Sequence, residues 1–128
     1  MQIERLDHLV LTVANIEATC EFYLRVMGMR VVTFGAGRKA LTFGQQKINL
    51  HERGKEVEPK AIAPTPGSAD LCFIASTPMS EIVQHLVREQ VDTILGPVPR
   101  TGATGQLESV YFCDPDGNLI EISNILSC

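Results

Sequence analysis

Apolar and polar positions follow one order in the first half of the chain and repeat it in the second. Residues 6–13 are apolar and β-branched, which predicts a strand. Asn15 suits a helix N-cap and Gly28 suits the end of that helix. Between them, the apolar residues at helical spacing are Ile16, Cys20, Tyr23, Leu24 and Met27. Three runs separated by glycine-containing turns predict further strands, at 30–34, 39–43 and 47–52.

The second half repeats this order after a segment, residues 53–68, whose prolines and glycines predict a linker. Residues 70–75 predict a strand. Thr77 suits an N-cap, with Pro78 as the first helical residue. The apolar stripe of that helix comprises Met79, Ile82, Val83, Leu86 and Val87. A short strand at 93–95, a Gly- and Pro-rich loop at 96–105, and strands at 108–113 and 118–123 complete the pattern.

The repeat indicates the fold class. A shift of 62 residues places 8–13 over 70–75 and one helix over the other. We therefore expect an α+β fold of two β-α-β-β-β modules, which form a curved mixed sheet around a polar pocket with the helices on the outer face. The 128 residues are predicted to form a single domain, with modules at about 5–53 and 69–125 and a linker at 54–68.

Composition narrows the possible partners. A net charge of -4 argues against nucleic acid, because phosphate binding depends on clustered Lys and Arg. No apolar run approaches the roughly 20 residues of a membrane helix, and the N-terminus lacks the apolar core of a signal peptide. We therefore expect a cytoplasmic protein. Its four cysteines lack metal-knuckle spacing and are expected to be free thiols, with Cys20, Cys72 and Cys113 buried as small hydrophobes.

Strand alternation predicts a set of polar side chains that point away from the helices. In the first strand, His8 faces opposite Leu9 and Leu11. The corresponding polar residues of three other predicted strands are Asn49, His51, Asp70 and Glu121. An imidazole and carboxylates that converge need a compensating cation, because unpaired buried charge is costly. Such N/O donors suit a divalent ion, namely Zn, Ni, Fe, Mn or Co.

Here the sequence resembles a known family. Paired modules, a His near the start of the first strand, and the run DPDGNLIEI at 114–122 are similar to the vicinal oxygen chelate superfamily. That superfamily includes glyoxalase I, methylmalonyl-CoA epimerase, fosfomycin resistance proteins, bleomycin-binding proteins and extradiol dioxygenases. The resemblance covers Leu6 to Asn124. The runs NLHERGKEVEPKA and GPVPRTGATG also resemble a subgroup of glyoxalase-domain and virulence-associated proteins.

The resemblance implies a ligand set taken from the first and last strand of each module. By position these ligands are His8, either Asn49 or His51, Asp70, and Glu121. Asn49 matches the usual offset, whereas His51 is the better metal ligand. Asp70 departs from the family pattern, in which His is commoner, and metal-free members exist, so occupancy stays open.

Three functions follow as hypotheses. The leading one is a metal-dependent lyase or isomerase of glyoxalase type, in which Glu121, or Asp70, moves a proton between adjacent carbons of a small substrate with vicinal oxygens. Arg100 is the preferred binder of an anionic substrate group, ahead of Arg38 and Lys60.

The second hypothesis, extradiol ring cleavage on iron, usually needs two His and a carboxylate with further His nearby. The chain has three His, of which His85 is predicted on a helix. The third, non-catalytic binding as in bleomycin resistance, is less favoured because the chain has no Trp and only 5% aromatic residues. Members of this size usually dimerise, so we expect a homodimer that can share the site between chains.

Overall fold

The computed structural model describes residues 1–126, which divide into two compact units, Met1–Gly67 and a second that begins at Ser68. In the first unit, the four strands form a sheet of order β1-β4-β3-β2, in which only the β1–β4 pair is parallel. Its elements are β1 (His8–Val13), α1 (Ile16–Arg25), β2 (Arg30–Phe34), β3 (Arg38–Phe43) and β4 (Gln46–Glu52).

The second unit has the same plan. Its sheet has the order β5-β8-β7-β6, and β5 and β8 are the parallel pair. The elements are β5 (Asp70–Ile74), α2 (Met79–Arg88), β6 (Leu95–Thr101), β7 (Gln106–Cys113) and β8 (Leu119–Ile125). The predicted α+β fold of two β-α-β-β-β modules is confirmed, and each module builds a four-stranded mixed sheet of its own.

Helix α1 is fixed at both ends. The Asn15 side chain accepts a hydrogen bond from the Ala18 amide at 2.9 Å, so the predicted N-cap is confirmed. Gly28, two residues beyond the Val26 C-cap, takes a φ of +68° that favours glycine. The buried stripe differs from the predicted one: Leu24 is exposed, and the buried positions are Thr19, Phe22, Tyr23 and Val26. Of the predicted stripe only Tyr23 is buried, while Ile16, Cys20 and Met27 are half-buried.

Helix α2 begins one residue later than predicted. Pro78, rather than Thr77, is the N-cap, and no side chain caps this end. The Pro78 carbonyl accepts the amides of Glu81 and Ile82 instead. Of the predicted stripe, Met79, Ile82 and Leu86 are buried, whereas Val87 is exposed.

The predicted loop at 96–105 is wrong over its first half, because Leu95–Thr101 form strand β6. This strand lies at the edge of its sheet, where proline is tolerated because its missing amide faces no neighbouring strand. A register shift between Leu95 and Val98 accommodates the Gly96-Pro97 pair. A Cβ at Gly96 would lie 2.4 Å from the Ser109 carbonyl oxygen, so the close pairing with β7 requires glycine here.

The predicted apolar face of the first sheet is confirmed by burial: Leu11, Val13, Ile48 and Leu50 are all buried. The opposite face is mixed, since His8 and Val10 are exposed whereas Asn49 and His51 are buried. The second sheet buries Val110, Phe112, Ile120 and Ile122 in the same way.

The cysteines follow this parity rather than their hydrophobicity. Cys20 is half-buried, but Cys72 and Cys113 are exposed because they share the polar face of the second sheet with Glu121, so their predicted burial is wrong. These three cysteines are free thiols, as expected, and Cys128 lies outside the described residues. Within residues 1–126, no helix has the length and apolar character needed to cross a membrane.

Candidate functional site

The parallel pair of the first sheet sets the spacing between the candidate ligands. His8 lies level with Lys47, Val10 with Asn49, and Thr12 with His51. Level residues of neighbouring strands face the same side, so the two histidines and Asn49 share the polar face. At about 3.3 Å per residue, Asn49 is displaced about 7 Å along the strands from the level of His8, and His51 about 13 Å.

The parallel pair of the second sheet has the same register. Asp70 lies level with Leu119, Cys72 with Glu121, and Ile74 with Ser123. Glu121 is therefore two residues from the level of Asp70, as Asn49 is from the level of His8. Because the two modules repeat, Asn49 is the positional counterpart of Glu121, and His51 is the counterpart of Ser123.

His8 is oriented by its neighbour. Its Nδ1 is hydrogen-bonded to Asp7 Oδ2 at 2.9 Å, and this bond lowers the pKa of the Asp7 carboxyl. A carboxylate that accepts from Nδ1–H fixes the orientation of the ring and leaves the lone pair on Nε2. Histidines that bind a metal usually have such a hydrogen-bond partner on their other ring nitrogen. The His8 side chain is exposed, so Nε2 is accessible.

Asn49 and His51 are buried, at 6% and 4% exposure, although each carries a polar atom without a hydrogen-bond partner among the described residues. These atoms are Asn49 Oδ1 and His51 Nε2. Burial lowers the pKa of His51, and the positive charge of Arg38 lowers it further, against the opposite effect of Glu56 and Glu58. The imidazole is therefore neutral at neutral pH. A bound ligand can supply the hydrogen-bond partners that Asn49 Oδ1 and His51 Nε2 lack.

In the second unit, Glu121 accepts a hydrogen bond from Ser123 Oγ at 3.3 Å. Ser123 Oγ also lies 2.6 Å from Ser109 Oγ and 3.3 Å from Cys72 Sγ. Ser123 is thus the shared hydrogen-bond partner of Glu121, Ser109 and Cys72. Partial desolvation of the Cys72 thiol raises its pKa, the hydrogen bond with Ser123 lowers it, and the charge of Glu121 raises it. Asp70, the other candidate of this unit, is exposed.

Arg100 lies on the same face of the second sheet as Glu121. Its Nε donates to the Tyr111 hydroxyl at 2.8 Å and its Nη1 to the Pro99 carbonyl at 3.1 Å. Tyr111 is in turn the cross-strand partner of Glu121. The guanidinium is thus exposed but already engaged in two hydrogen bonds.

The turn before β8 explains the DPDGN run in physical terms. Asp114 Oδ1 accepts the amides of Asp116 and Asn118, both at 2.9 Å, and Asp114 Oδ2 accepts the Asn118 side-chain amide at 2.8 Å. Asn118 Oδ1 accepts the Ala69 amide at 2.9 Å, which ties the start of β8 to the start of β5. Asp114 and Asn118 therefore fix the register between Asp70 and Glu121. The sequence predicts the turn itself from Asp114-Pro115-Asp116-Gly117, with Gly117 at a positive φ as observed, but it does not predict the positioning role of Asp114 and Asn118.

A second feature was also underestimated from the sequence. In the first sheet, the Arg38 guanidinium lies 4.8 Å and the Lys47 ammonium 4.2 Å from the centroid of the Phe34 ring. Arg38 Nε is buried and has no hydrogen-bond partner among the described residues. The sequence favours Arg100 over Arg38 because the predicted loop that carries Arg100 follows Gly96-Pro97, and nothing in the sequence shows which guanidinium has hydrogen-bond partners.

Within residues 1–126, no three or more His, Cys, Asp and Glu side chains form a group that could hold a metal ion. Of the candidate ligands, His8, Asn49 and His51 lie in the first unit, and Asp70 and Glu121 lie in the second. Their roles as ligands, the catalytic role of Glu121 and the substrate-binding role of Arg100 stay predictions.

Two modules of this topology, each with polar donors on the face away from its helix, define the class of protein as glyoxalase-like. The model of the Glyoxalase/Bleomycin resistance protein/Dioxygenase superfamily matches residues 5–122. The chain belongs to this superfamily.

Among its relatives, the virulence protein STM3117 of Salmonella typhimurium is 58% identical over 123 residues, covering 96% of this chain and 85% of the relative. The crystal structure of that protein superposes with a TM-score of 0.97 at 57% identity, over 98% of this chain and 100% of that one.

The glyoxalase domain-containing protein RDO1 of Mycosarcoma maydis is 52% identical over 124 residues, covering 97% of this chain and 70% of that protein. Lactoylglutathione lyase from Agrobacterium tumefaciens, at 20% identity, has a TM-score of 0.72 over 96% of this chain and 95% of that one, and shares the fold alone.

Proposed function

We propose that the protein is a metal-dependent lyase or isomerase of glyoxalase type that acts on a small substrate with two vicinal oxygens. In this proposal a divalent ion (Zn, Ni, Fe, Mn or Co) is held by His8, Asn49, Asp70 and Glu121. The supporting observation is the identical register of the two parallel pairs, which makes His8 with Asn49 the counterpart of Asp70 with Glu121. Superfamily membership supplies the expectation that such pairs act together on one ion.

The chemistry of these donors fits such an ion. Asn49 Oδ1 is buried and unpaired, His8 has its Nε2 accessible, and the two carboxylates supply negative charge. We prefer Asn49 to His51 as the fourth-strand ligand, because His51 is displaced about 13 Å along the strands from the level of His8. That distance exceeds what two imidazoles on neighbouring strands bridge through one ion. It also weighs against the extradiol hypothesis, which needs two histidines on the iron.

When bound, the ion supplies Lewis-acid polarisation of the two substrate oxygens. Glu121 takes the proton from one carbon through a carboxylate oxygen and returns it to the next. The Ser109–Ser123 hydroxyl chain ends on Glu121 Oε2 and so holds the carboxylate in one orientation. Arg100, held by Tyr111 beside Glu121, is the binder of an anionic substrate group that the sequence predicts, and that role stays a prediction.

The first test is the metal content of protein purified without chelator and after reconstitution with each of the five ions. We expect about one ion per chain in the wild type and a sharp loss in Glu121→Gln, which removes the anionic ligand but keeps the shape. Glu108→Gln is the matched control, because Glu108 lies in the same sheet on the opposite face. Unchanged metal content in Glu121→Gln would refute the ligand assignment.

The second test is activity of the reconstituted protein with methylglyoxal–thiol adducts. Turnover that depends on the added ion supports the lyase. Absence of turnover with every ion and adduct would refute the glyoxalase-type reaction. If the protein also binds no metal, non-catalytic binding of a small molecule becomes the better account. A cytoplasmic location and the absence of a nucleic-acid partner stay predictions.

A further inference from the structure

Three buried polar atoms on the polar face of the first sheet have no hydrogen-bond partner among the described residues: Arg38 Nε, Asn49 Oδ1 and His51 Nε2. Asn49 and His51 are each more than nine-tenths buried. Buried polar groups are normally paired, so three unpaired ones together indicate that this face is completed by something the chain does not supply.

The sheet register brings these atoms together. Ala40 is the cross-strand partner of Asn49, and Arg38 lies two residues before Ala40 in β3, at the level of His51 in β4. The effect of the Arg38 charge on the pKa of His51 agrees with this proximity. Phe34 is the partner of Arg38 on β2, so its ring borders the same group.

The charge of this group is positive. The Arg38 and Lys47 cations both lie against the Phe34 ring. The charge of Lys47 also helps to lower the pKa of the Asp7 carboxyl, whereas none of the salt bridges among the described residues includes Arg38. The acidic residues that influence His51 have other partners: Glu56 accepts the Gly54 amide at 2.9 Å and Glu58 pairs with Lys60. The unpaired Arg38 Nε–H therefore needs an acceptor, and the positive charges beside it favour a negatively charged one. Asn49 Oδ1 is itself an acceptor and needs a donor or a cation instead.

We propose that Arg38 and His51, with the Lys47 ammonium that reaches along the sheet to the Phe34 ring, form a subsite for an oxyanion, a carboxylate or a phosphonate, carried by the substrate. Arg38 is better suited to this role than Arg100, whose guanidinium already donates to Tyr111 and Pro99. Arg38 and His51 lie about 7 Å along the strands from the level of Asn49. As an assignment of substrate class it rests on the function proposed above, and it then specifies a short acid, with its charged group on Arg38 and its vicinal oxygens near Asn49.

The test uses chelator-treated protein, so that metal binding plays no part. Acetate and methylphosphonate are titrated separately at constant ionic strength, with chloride as the reference anion, and followed by NMR of the His51 ring and of the backbone amides. We expect saturable binding that shifts the His51 ring signals, with affinity at least tenfold lower in Arg38→Gln. Arg38→Lys keeps the charge but loses the Nε–H, so it should bind with intermediate affinity. The tighter of the two anions identifies the group that the substrate carries.

Arg88→Gln is the matched control, because it removes the same charge from the end of α2. Equal affinity in Arg38→Gln and the wild type, or equal losses in Arg38→Gln and Arg88→Gln, would overturn the subsite. A loss in Arg100→Gln in place of Arg38→Gln would overturn it as well. If Arg38→Gln does not fold, Arg38→Lys decides alone, with wild-type affinity as the outcome against the proposal. Metal content is measured on the same variants. Absence of anion binding would overturn the subsite but not the proposed metal site, and absence of metal would overturn the metal site but not anion binding by Arg38.

Discussion

Asn49 in β4 and Glu121 in β8 occupy the same position relative to the strand that opens their unit. Each lies two residues beyond the level of the first residue of that strand, His8 for Asn49 and Asp70 for Glu121. The second module thus presents two carboxylates where the first presents an imidazole and an amide. Among the proposed ligands, this asymmetry places both carboxylates in the second unit and makes His8 and Asn49 the neutral members of the set.

Replacing Asn49 by Asp adds a negative charge at that neutral position. If Asn49 is a ligand, affinity for the divalent ion should rise by about tenfold or more, since affinity follows the number of charged ligands. Isothermal titration calorimetry of metal-free protein measures the change. His51→Asn is the comparison and should leave metal affinity within about twofold. The opposite ranking would make His51 the ligand. In the same assay we expect Asp70→Asn to lose less affinity than Glu121→Gln.

The two buried hydroxyls of the second sheet predict a non-additive effect on stability. Ser123→Ala leaves the Ser109 hydroxyl buried without its partner at 2.6 Å, which should lower the free energy of unfolding by about 1–3 kcal/mol. The double variant Ser109→Ala with Ser123→Ala removes both partners and should be more stable than the single variant. Urea denaturation of the wild type, the two single variants and the double variant gives the coupling free energy between the two hydroxyls. Additive losses would contradict a shared hydrogen bond.

Glu52 predicts a pH dependence of stability. Its carboxylate accepts the Ile16 amide at the start of α1 at 3.2 Å, and this bond and the one from Lys55 lower its pKa below the ordinary value of 4.5. An acid with a lowered folded-state pKa stabilises the fold above its unfolded pKa, and loses that contribution as the pH falls through the folded value. Glu52→Gln should therefore lower the melting temperature at pH 7, and the difference should shrink below pH 4.5. A melting-temperature difference that does not change with pH would show that the charge of Glu52 is not responsible. Glu81→Gln serves as a control, because Glu81 lies in the first turn of α2.

The expected homodimer is tested by mixing inactive chains. If the site is shared between chains, as in several members of the superfamily, a hybrid of His8→Ala and Glu121→Ala chains contains one pocket with both wild-type ligands. Mixing should then restore metal binding to about half of the sites in the hybrid. Light scattering at micromolar concentration measures the assembly itself. A monomer would refute the dimer, and a hybrid without recovered metal binding would refute only the shared site.

The sequence alone determined the elements and the faces of this protein. The repeat of two modules, the Asn15 cap and the turn at Gly117 follow from preferences of residues near one another in the chain, and they hold whatever the tertiary contacts are. The alternation that puts His8, Asn49 and Glu121 opposite the apolar residues is equally local, because successive strand residues point to opposite sides. Its consequence for Cys72 could have been anticipated, had parity been weighed above hydrophobicity.

Only the tertiary structure decided the register and the pairing of polar groups. Whether Asn49 or His51 corresponds to Glu121 depends on which residues of β1 and β4 lie level, and these strands are about forty residues apart in the chain. A slip of two residues keeps every side chain on its face, so alternation cannot detect it. The strand at Leu95–Thr101 likewise depends on its place at the sheet edge. Among the described residues, Arg38 Nε has no hydrogen-bond partner while the Arg100 guanidinium has two. This difference depends on the surrounding structure, because a hydrogen bond needs both groups in place.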